Sequence, residues 1–391
     1  MTLRMWIIEP RDPLIFRDGR PFDPFPGARA RSLEFPFPST IIGAIRTRDG
    51  LDEKGLFQES RISELMGICM KGPLLVELDP QGEITRWLVP APADALLLGS
   101  EPGADSRVML KPLVPLQLPE GAQTNLPEPL KFPAGLTCRD PRKPFGRPPR
   151  YWYWEFFEQW LLHPQEEEVS LDKLGHSGPV RESRMHVGIK SETGTADEER
   201  GALFQTQGLE FTCAMGKKLS ETRRLGLAVA TDASRLKPGL GSLGGERRLA
   251  FWRPSVRELP PVPEELVQKI VEQKSCRLIL LTPAYFEKGW KPSWLLKERV
   301  GVRPSLKAAA LKRYETVSGW DLEKRKPKPT RRLAPTGTVY FLKLEGEEAA
   351  VRKWVKSIWL ENVSDGDQER RDGFGLAVLG TWDGKPKEME V

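Results

Sequence analysis

Three glycines in the stretch 237–252, KPGLGSLGGERRLAFW, have the G-x-G-x-x-G spacing of dinucleotide-binding loops: Gly239, Gly241 and Gly244. A dinucleotide site needs a strand that runs into the first glycine and a helix that starts at the last one, so that the pyrophosphate meets the helix N-terminus. Here the loop sequence DASRLKP precedes the first glycine, and LAFW after the last one predicts a short strand. The spacing therefore does not predict a nicotinamide or flavin site, and we expect no cofactor.

The same loop has the composition of a phosphate-binding loop. Glycines let backbone N–H groups approach phosphate oxygens closely, and neighbouring arginines donate charge-assisted hydrogen bonds to them. Gly245 follows the third glycine directly, and the basic residues beside the loop are Arg235, Lys237, Arg247 and Arg248. The alternative at this stage is a glycine turn with a solvated basic rim.

Histidine is the usual general base near neutral pH, and the chain has only three: His163, His176 and His186. His186 lies in RESRMHVGIK together with Arg181, Arg184 and Lys190, so it could activate a 2′-hydroxyl and cleave RNA. A lone histidine in a strand more often packs or contacts phosphate, and we favour that interpretation. No H-E-x-x-H, G-x-S-x-G, Walker loop or acidic metal cluster occurs in the sequence. We therefore expect neither catalysis nor a metal site.

Positive charge is concentrated in one segment near the C-terminus. The chain has a net charge of +6, whereas residues 291–332 contain thirteen Lys or Arg against four Asp or Glu. Such a concentration is typical of proteins that bind polyanions, because each neutralised phosphate releases condensed counterions. A solvated basic loop remains the alternative.

The length suggests two domains or one large one, and the composition is not that of a membrane protein. Hydrophobic residues make up 39% of the 391-residue chain, and no apolar run approaches the roughly 20 residues that span a bilayer. The N-terminus MTLRMWIIEPRDPL lacks the apolar region of a signal peptide, so we expect a cytoplasmic location. The four cysteines are more than sixty residues apart, which predicts neither a zinc site nor a disulfide framework.

The N-terminal part predicts a strand at 4–9, a helix capped by Ser39 or Thr40 in PSTIIGAIR, and a hairpin that pairs 74–78 with 85–89. A loop-rich insertion at about 91–180 contains a helix in YWYWEFFEQWLL. Two alternating polar and apolar runs at about 181–212 then predict a protruding β-hairpin.

After the Pro-rich segment 259–263 the pattern starts again. CRLILLTPAYF predicts a strand, PSLKAAALKRYE a helix, YETVSGW and GTVYFLKLE two strands, EEAAVRKWVKSIWL a helix and DGFGLAVLGTW a last strand. This β-α-β-β-α-β order is the ferredoxin-like unit, and the N-terminal part fits it too, with the glycine loop between a helix and the last strand. We therefore predict an α+β fold with two ferredoxin-like domains, 1–258 and 264–391, with long insertions and a protruding β-hairpin.

Five stretches together resemble the RAMP proteins of CRISPR systems: IIEPRDPLIFRDGRPF, PSTIIGAIRT, HVGIKSETGTADEERGALF, GSLGGERR and SGWDLEKRKPKPTRRLAPTGTVYFLK. They are most similar to the type III-B (Cmr) subunit that holds the 5′ tag of the CRISPR RNA. The subunit of type III-A complexes is the nearest similar relative, but the first and last stretches favour type III-B. The resemblance implies an RNA-binding structural subunit that docks the large polymerase-cyclase-like subunit and a neighbouring backbone RAMP in antiviral defence.

The resemblance also implies that this subunit does not cleave the target. A metal-independent endoribonuclease that processes CRISPR RNA with His186 or His176 is the competing hypothesis. The predicted RNA contacts are Ser39, Thr40, Arg46, Arg181, Arg184, His186, Lys190, Arg235, Lys237, Gly239, Gly241, Gly244, Gly245, Arg247, Arg248, Lys326, Lys328, Arg331 and Arg332.

Overall fold

The computed structural model describes residues 2–17, 29–30, 32–99, 107–197, 203–215, 221–321 and 326–389. Within these ranges the chain is α+β and rich in strands, as the sequence predicts. No helix in the described part is both long enough and apolar enough to cross a membrane.

The helices and strands of the first 180 residues fall into two groups. The first group consists of β1 Arg4–Pro10, β2 Arg29–Ala30, α1 Pro38–Asp49, α2 Ile62–Met66, β3 Met70–Leu78 and β4 Ile84–Pro90. The insertion consists of β5 Ala95–Leu98, β6 Arg107–Pro112, β7 Val114–Gln117, β8 Ala134–Gly135, β9 Tyr151–Tyr153, α3 Trp154–Leu162, β10 Glu167–Ser170, α4 Leu171–Leu174 and β11 Gly175–His176.

The remaining elements lie on either side of the Pro-rich segment. Those before it are β12 Val180–Val187, β13 Leu203–Glu210, β14 Thr212–Ala214, β15 Thr222–Thr231, β16 Gly239–Ser242 and β17 Leu249–Ser255. Those after it are α5 Glu264–Gln273, β18 Ser275–Leu280, β19 Arg303–Ala310, β20 Glu315–Val317, β21 Trp320–Asp321, β22 Lys326–Pro327, β23 Arg331–Leu333, β24 Val339–Glu345, α6 Glu348–Ile358, β25 Glu361–Asn362, α7 Asp367–Arg371, β26 Leu376–Thr381 and β27 Lys387–Glu388.

The larger sheet has the strand order β11-β9-β4-β3-β15-β1-β17-β16, and β14 also pairs with β15. Its pairs are antiparallel. Successive side chains of a strand point to opposite faces, and here both faces are buried. Ile8 of β1 packs on the face that α1 covers with Ile41 and Ile45, whereas Ile7 packs in the core that includes the C-terminal half.

The smaller sheet has the antiparallel order β19-β24-β18-β26-β25, and α5 and α6 pack together on it. The predicted helix in PSLKAAALKRYE is wrong, because Arg303–Ala310 is strand β19. Its residues alternate between buried and less buried positions along the strand, and it pairs with β24. Pairing with β24 outweighs the helix propensity of Ala, Leu and Lys.

Several local predictions are confirmed: strand β1, the hairpin of β3 and β4, helix α3, and the pairing of β12 with β13. Residues 198–202 near the tip of the last hairpin lie outside the described residues. The capping prediction for α1 is wrong, since its N-cap is Phe37, which makes no side-chain cap hydrogen bond. Pro38 is the first helical residue, and its fixed φ suits that position. Ser39 and Thr40 therefore lie within the first turn.

Buried polar bonds join the two halves of the chain. Arg277 of β18 donates to the Asp94 carboxylate and to the Trp160 carbonyl oxygen at 2.6 Å, and Arg277 and Asp94 are 2% and 1% exposed. Asn362 Nδ2 donates to the Met70 carbonyl oxygen at 2.9 Å. The domain limits at 258 and 264 stay a prediction.

Candidate nucleic-acid interface

The glycine loop is a hairpin at the edge of the larger sheet. β16 pairs with β17, with Gly239 opposite Trp252 and Gly241 opposite Ala250. The predicted helix before the loop is absent from the described residues 232–238, so the loop follows β15 through coil. The glycines at 239 and 241 thus belong to a strand, and only 244 and 245 form the turn.

The turn is held by the residues after β1, which we call the β1 extension (11–17). Gly245 N–H donates to the Ile15 carbonyl oxygen at 2.7 Å. Gly244 has φ 77° and ψ −160°, and a Cβ there would lie 2.6 Å from the same oxygen. Gly244 therefore permits a close approach between the turn and the β1 extension of the same chain. The Gly245 N–H is already bonded to Ile15, so it is not free to bind a phosphate.

Arg48 at the end of α1 supports the other strand of the hairpin, and sequence reasoning missed it. Its guanidinium donates to the carbonyl oxygens of Lys237 at 2.9 Å and Leu240 at 3.1 Å, and lies 5.2 Å from the ring centre of Trp252. A Cβ at Gly241 would lie 1.8 Å from its Nη1 atom. Burial lowers the pKa of Arg48. Nothing in the spacing of PSTIIGAIRTR singles out this arginine.

The basic side chains of the loop differ in exposure and in their hydrogen bonds. Arg247 is exposed and makes no hydrogen bond or ion pair with the described residues. Arg248 donates to Glu246 at 3.2 Å. Arg235 and Lys237 are exposed at the start of the hairpin. Arg247 is the side chain best placed for a contact with an external anion.

The hairpin of β12 and β13 starts beside the same β1 extension. Leu14 and Leu209 exchange two backbone hydrogen bonds of 2.9 and 2.7 Å. Because the extension also holds Gly245, the structure brings the glycine loop and the base of the hairpin together. Arg181, near this base, pairs with Glu34.

Further along the hairpin, His186 stacks on Phe204 with ring centres 5.1 Å apart and an interplanar angle of 13°. Its Nε2 atom is 2.8 Å from Thr206 Oγ1. Arg184 donates to Glu182 at 2.8 Å, which raises the pKa of Arg184. Lys190, half-buried, follows beyond the end of β12.

His176 lies in the interior, where it cannot meet RNA. It is 5% exposed, its Nδ1 atom accepts the Gly178 N–H at 3.0 Å, and its Nε2 atom is 3.4 Å from Glu77 Oε1. Tyr153 donates to the same Glu77 oxygen at 2.9 Å. These bonds make His176 part of a buried polar cluster between the insertion and β3.

Arg46 is also buried and satisfied. It is 6% exposed, donates to the carbonyl oxygens of Leu65 at 2.9 Å and Ile68 at 3.0 Å, and pairs with Asp372 at 2.7 Å. We assign it to the joint between the two halves and leave it out of the interface.

The C-terminal basic segment packs against the start of α1. Phe37, which precedes the helix, shares a small core with Val317 and Leu333. This contact places the first turn of α1, with the partly buried Ser39 and Thr40, near the hairpin of β20 and β23.

Two arginines of that hairpin lie against tyrosines. Arg331 pairs with Glu369 and lies 5.0 Å from the ring centre of Tyr285. The Cζ atom of Arg332 is 4.8 Å from the ring of Tyr314, which is 45% exposed. The remaining basic residues of the prediction here are Lys326, which is exposed, and Lys328, which is half-buried.

A cavity of about 390 Å³ lies between the start of α1, the insertion and the C-terminal half. Phe35 and Tyr151 line it with ring centres 5.7 Å apart, and Glu34, Arg150 and Glu315 supply polar groups. Burial raises the pKa of Glu315. The size and the mixed lining are typical of small-molecule sites.

The described residues contain no group of three His, Cys, Asp or Glu side chains arranged to hold a metal ion.

Comparison with solved structures found low sequence identity over most of the chain. One match is a chain of the "Cryo-EM structure of the Type III-B Cmr-beta bound to cognate target RNA and AMPPnP, state 1", with 16% identity, a TM-score of 0.49, and 98% of this chain and 99% of that chain covered. Another is the "Crystal structure of Csm3-Csm4 subcomplex in the type III-A CRISPR-Cas interference complex", with 10% identity, a TM-score of 0.32, and coverage of 88% and 94%. No curated protein matches the sequence.

A family model gives the decisive match. The model described as CRISPR-associated protein (Cas_Cmr3) matches residues 6–382, which is nearly the whole chain. The chain therefore belongs to the Cas_Cmr3 family of CRISPR-associated proteins, the type III-B (Cmr) effector subunits that its sequence motifs predict.

Proposed function

We propose that this chain is a non-catalytic RNA-binding subunit of the type III-B effector, and that it grips the 5′ repeat-derived tag of the CRISPR RNA. One observation carries the proposal: the glycine loop and the base of the protruding hairpin meet on the β1 extension, with Arg247 exposed and unpaired among the described residues. Exposed arginines beside a constrained backbone hold phosphates without reading sequence.

The RNA path continues from the loop towards α1. Leu33 N–H donates to the Phe16 carbonyl oxygen at 2.6 Å, so the segment before α1 runs beside the β1 extension. From there the surface leads to the first turn of α1 and to Arg332 on Tyr314. In this proposal Arg247, the first turn of α1 and Arg332 lie along one route, and the buried Arg46 lies outside it. Exposed Tyr314 offers a face on which a base stacks.

In this proposal the larger sheet and the smaller sheet each belong to a ferredoxin-like unit. A ferredoxin-like sheet has the strand order 2-3-1-4, which corresponds to β3-β15-β1-β17 in the first half and β19-β24-β18-β26 in the second. In the first half, residues 232–248 with the glycine loop replace the second helix. In the second half, α5 precedes β18 and occupies the layer of the first helix.

The proposed partners are the CRISPR RNA, the large polymerase-cyclase-like subunit and a neighbouring backbone RAMP, in the cytoplasm. The competing endoribonuclease needs a histidine that reaches a 2′-hydroxyl. His176 is buried, and His186 is bonded to Thr206 and stacked on Phe204. These contacts support a binding role for His186.

The test is the affinity of purified protein for a single-stranded RNA with the tag sequence, measured as a function of salt. For Arg247→Ala we expect about tenfold weaker binding and a salt slope that is smaller by about 0.7, the value for one phosphate contact on a single strand. Arg257→Ala is the matched control, because Arg257 is exposed beyond the opposite end of β17. Equal affinities for the wild type and both variants would contradict the proposal.

A further inference from the structure

Five arginines lie at one end of the larger sheet, outside the predicted site. Strand β1 ends there, β15 and β17 begin there, and β3 turns into β4 there. We call these arginines the arginine rim: Arg11, Arg86, Arg223, Arg224 and Arg253. The glycine loop joins β17 at the same end, since the N–H of Arg11 donates to the carbonyl oxygen of Leu249 at 2.9 Å.

One buried carboxylate holds three arginines of the rim. Glu9 is 3% exposed, pairs with Arg224 and Arg253, and lies 3.5 Å from Arg11. Arg253 also donates to the Gln81 carbonyl oxygen at 2.8 Å. Three positive charges share one negative charge, and the guanidinium groups are fixed before any ligand arrives. Groups fixed in this way lose little conformational entropy when they bind.

An aromatic ring lies among these arginines. The Cζ atoms of Arg11 and Arg253 are 5.7 and 5.6 Å from the ring centre of Phe251, which is partly exposed. Leu240 lies opposite Phe251 on β16 and is 59% exposed. An aromatic ring with guanidinium groups beside it is a surface on which bases of a single strand stack.

The rim continues into an open cleft of about 760 Å³ at the β3–β4 turn. Arg86, Arg223 and Arg224 line it together with Thr85 and Thr222. Arg223 is exposed and makes no hydrogen bond or ion pair with the described residues. A free guanidinium group donates to phosphate oxygens.

We propose that the arginine rim binds a further stretch of single-stranded RNA, which leaves the glycine loop and crosses the end of the sheet, with a base on Phe251. This inference rests on the proposed function. From β17 across β1 and β15 to β3 and β4 there are four strand spacings of about 4.8 Å, so the track is about 19 Å long. The positive charge of the arginine rim would also suit a protein partner with an acidic surface. The Phe251 ring favours RNA, because a base can stack on it.

The test compares Arg223→Glu with Arg257→Glu, an equal change of charge at an exposed arginine beyond the opposite end of β17. Affinity is measured for single-stranded RNAs of about 4 and about 16 nucleotides, the limits of single-strand site sizes in small domains. The short RNA carries the tag sequence only. We expect Arg223→Glu to weaken binding of the long RNA about tenfold, to reduce its salt slope by about 0.7 or more, and to leave the short RNA unaffected. Phe251→Ala should weaken the long RNA without changing the salt slope.

The possible outcomes distinguish an RNA-binding rim from a protein interface. If Arg223→Glu and Arg257→Glu bind the long RNA like the wild type while Arg247→Ala weakens both RNAs, the rim inference is overturned and the proposed function stands. If the wild type binds neither RNA, both are overturned. If Arg223→Glu reduces binding of a partner subunit and not of RNA, the rim belongs to a protein interface and the inference is wrong.

Discussion

Replacement of Gly244 by alanine tests whether the glycine loop is shaped by its own chain. The backbone at Gly244, φ 77° and ψ −160°, lies in a region that is essentially restricted to glycine. Its Cβ would also lie 2.6 Å from the Ile15 carbonyl oxygen. Gly245 next to it has no positive φ, and its Cβ would lie 3.4 Å from that oxygen. The two neighbours are thus a matched pair.

The expected cost for Gly244→Ala has two parts. The backbone strain costs about 1–3 kcal/mol. The alanine methyl group displaces the Ile15 carbonyl and loses the 2.7 Å bond from the Gly245 N–H, a loss of about 0.5–1.5 kcal/mol. The loop is therefore destabilised by about 1.5–4.5 kcal/mol. For Gly245→Ala we expect a change within about 1 kcal/mol.

Hydrogen exchange at the amide of residue 245 reports this local stability, because that N–H is bonded to Ile15. In Gly244→Ala its exchange should be about 10- to 1,600-fold faster, since each 1.4 kcal/mol is a factor of ten. In Gly245→Ala it should change by less than about tenfold. RNA affinity should fall with Gly244→Ala alone.

Equal exchange rates in the two variants would refute this reasoning. The result would mean that the turn adapts to a side chain at position 244, and that the glycine is not needed for the contact with the β1 extension. Faster exchange with unchanged RNA affinity would refute only the link between the shape of the loop and RNA binding.

Two further predictions concern the interior and the hairpin. Asp94→Asn should lower the free energy of unfolding by about 3–5 kcal/mol in urea denaturation, because it leaves the buried charge of Arg277 uncompensated. The control is Glu298→Gln, which removes the exposed ion pair of Glu298 with Arg303 and should cost less than about 1 kcal/mol. Equal costs would contradict the prediction. Purified wild-type protein should cleave repeat RNA no faster than background without metal ions, and His186→Ala should weaken RNA binding only modestly; single-turnover cleavage that is lost in His186→Ala would establish the endoribonuclease instead.

Strands were predictable where a short apolar run is bounded by turn residues, as in β1 and in the hairpin of β3 and β4. They were not predictable in β19, whose alanines, leucine and lysine favour a helix. That segment is a strand because β24 pairs with it along its length. The start of α1 was predicted too late, because Ser39 and Thr40 are residue types that often cap helices. Pro38 occupies the first helical position, so the two polar residues after it lie inside the helix and do not cap it.

At the candidate site, the sequence indicated the glycine loop and the hairpin but not what connects them. Their meeting point is the β1 extension, which contacts both through backbone groups. The sequence also does not show which arginines are exposed and which are buried in ion pairs. Arg46 and Arg247 look alike in sequence, yet one is buried against Asp372 and the other is exposed.

The last turn of α1 couples the glycine loop to the C-terminal half. Arg46 reaches Asp372, and Arg48, two residues later, holds the carbonyl oxygens of the β16 hairpin. Asp49 accepts the backbone N–H of Arg235 at 2.7 Å, at the start of the loop. One short helix end therefore bonds both to the second half and to the proposed RNA loop. A change at Asp372, far from that loop in sequence, should consequently alter RNA binding through the position of α1.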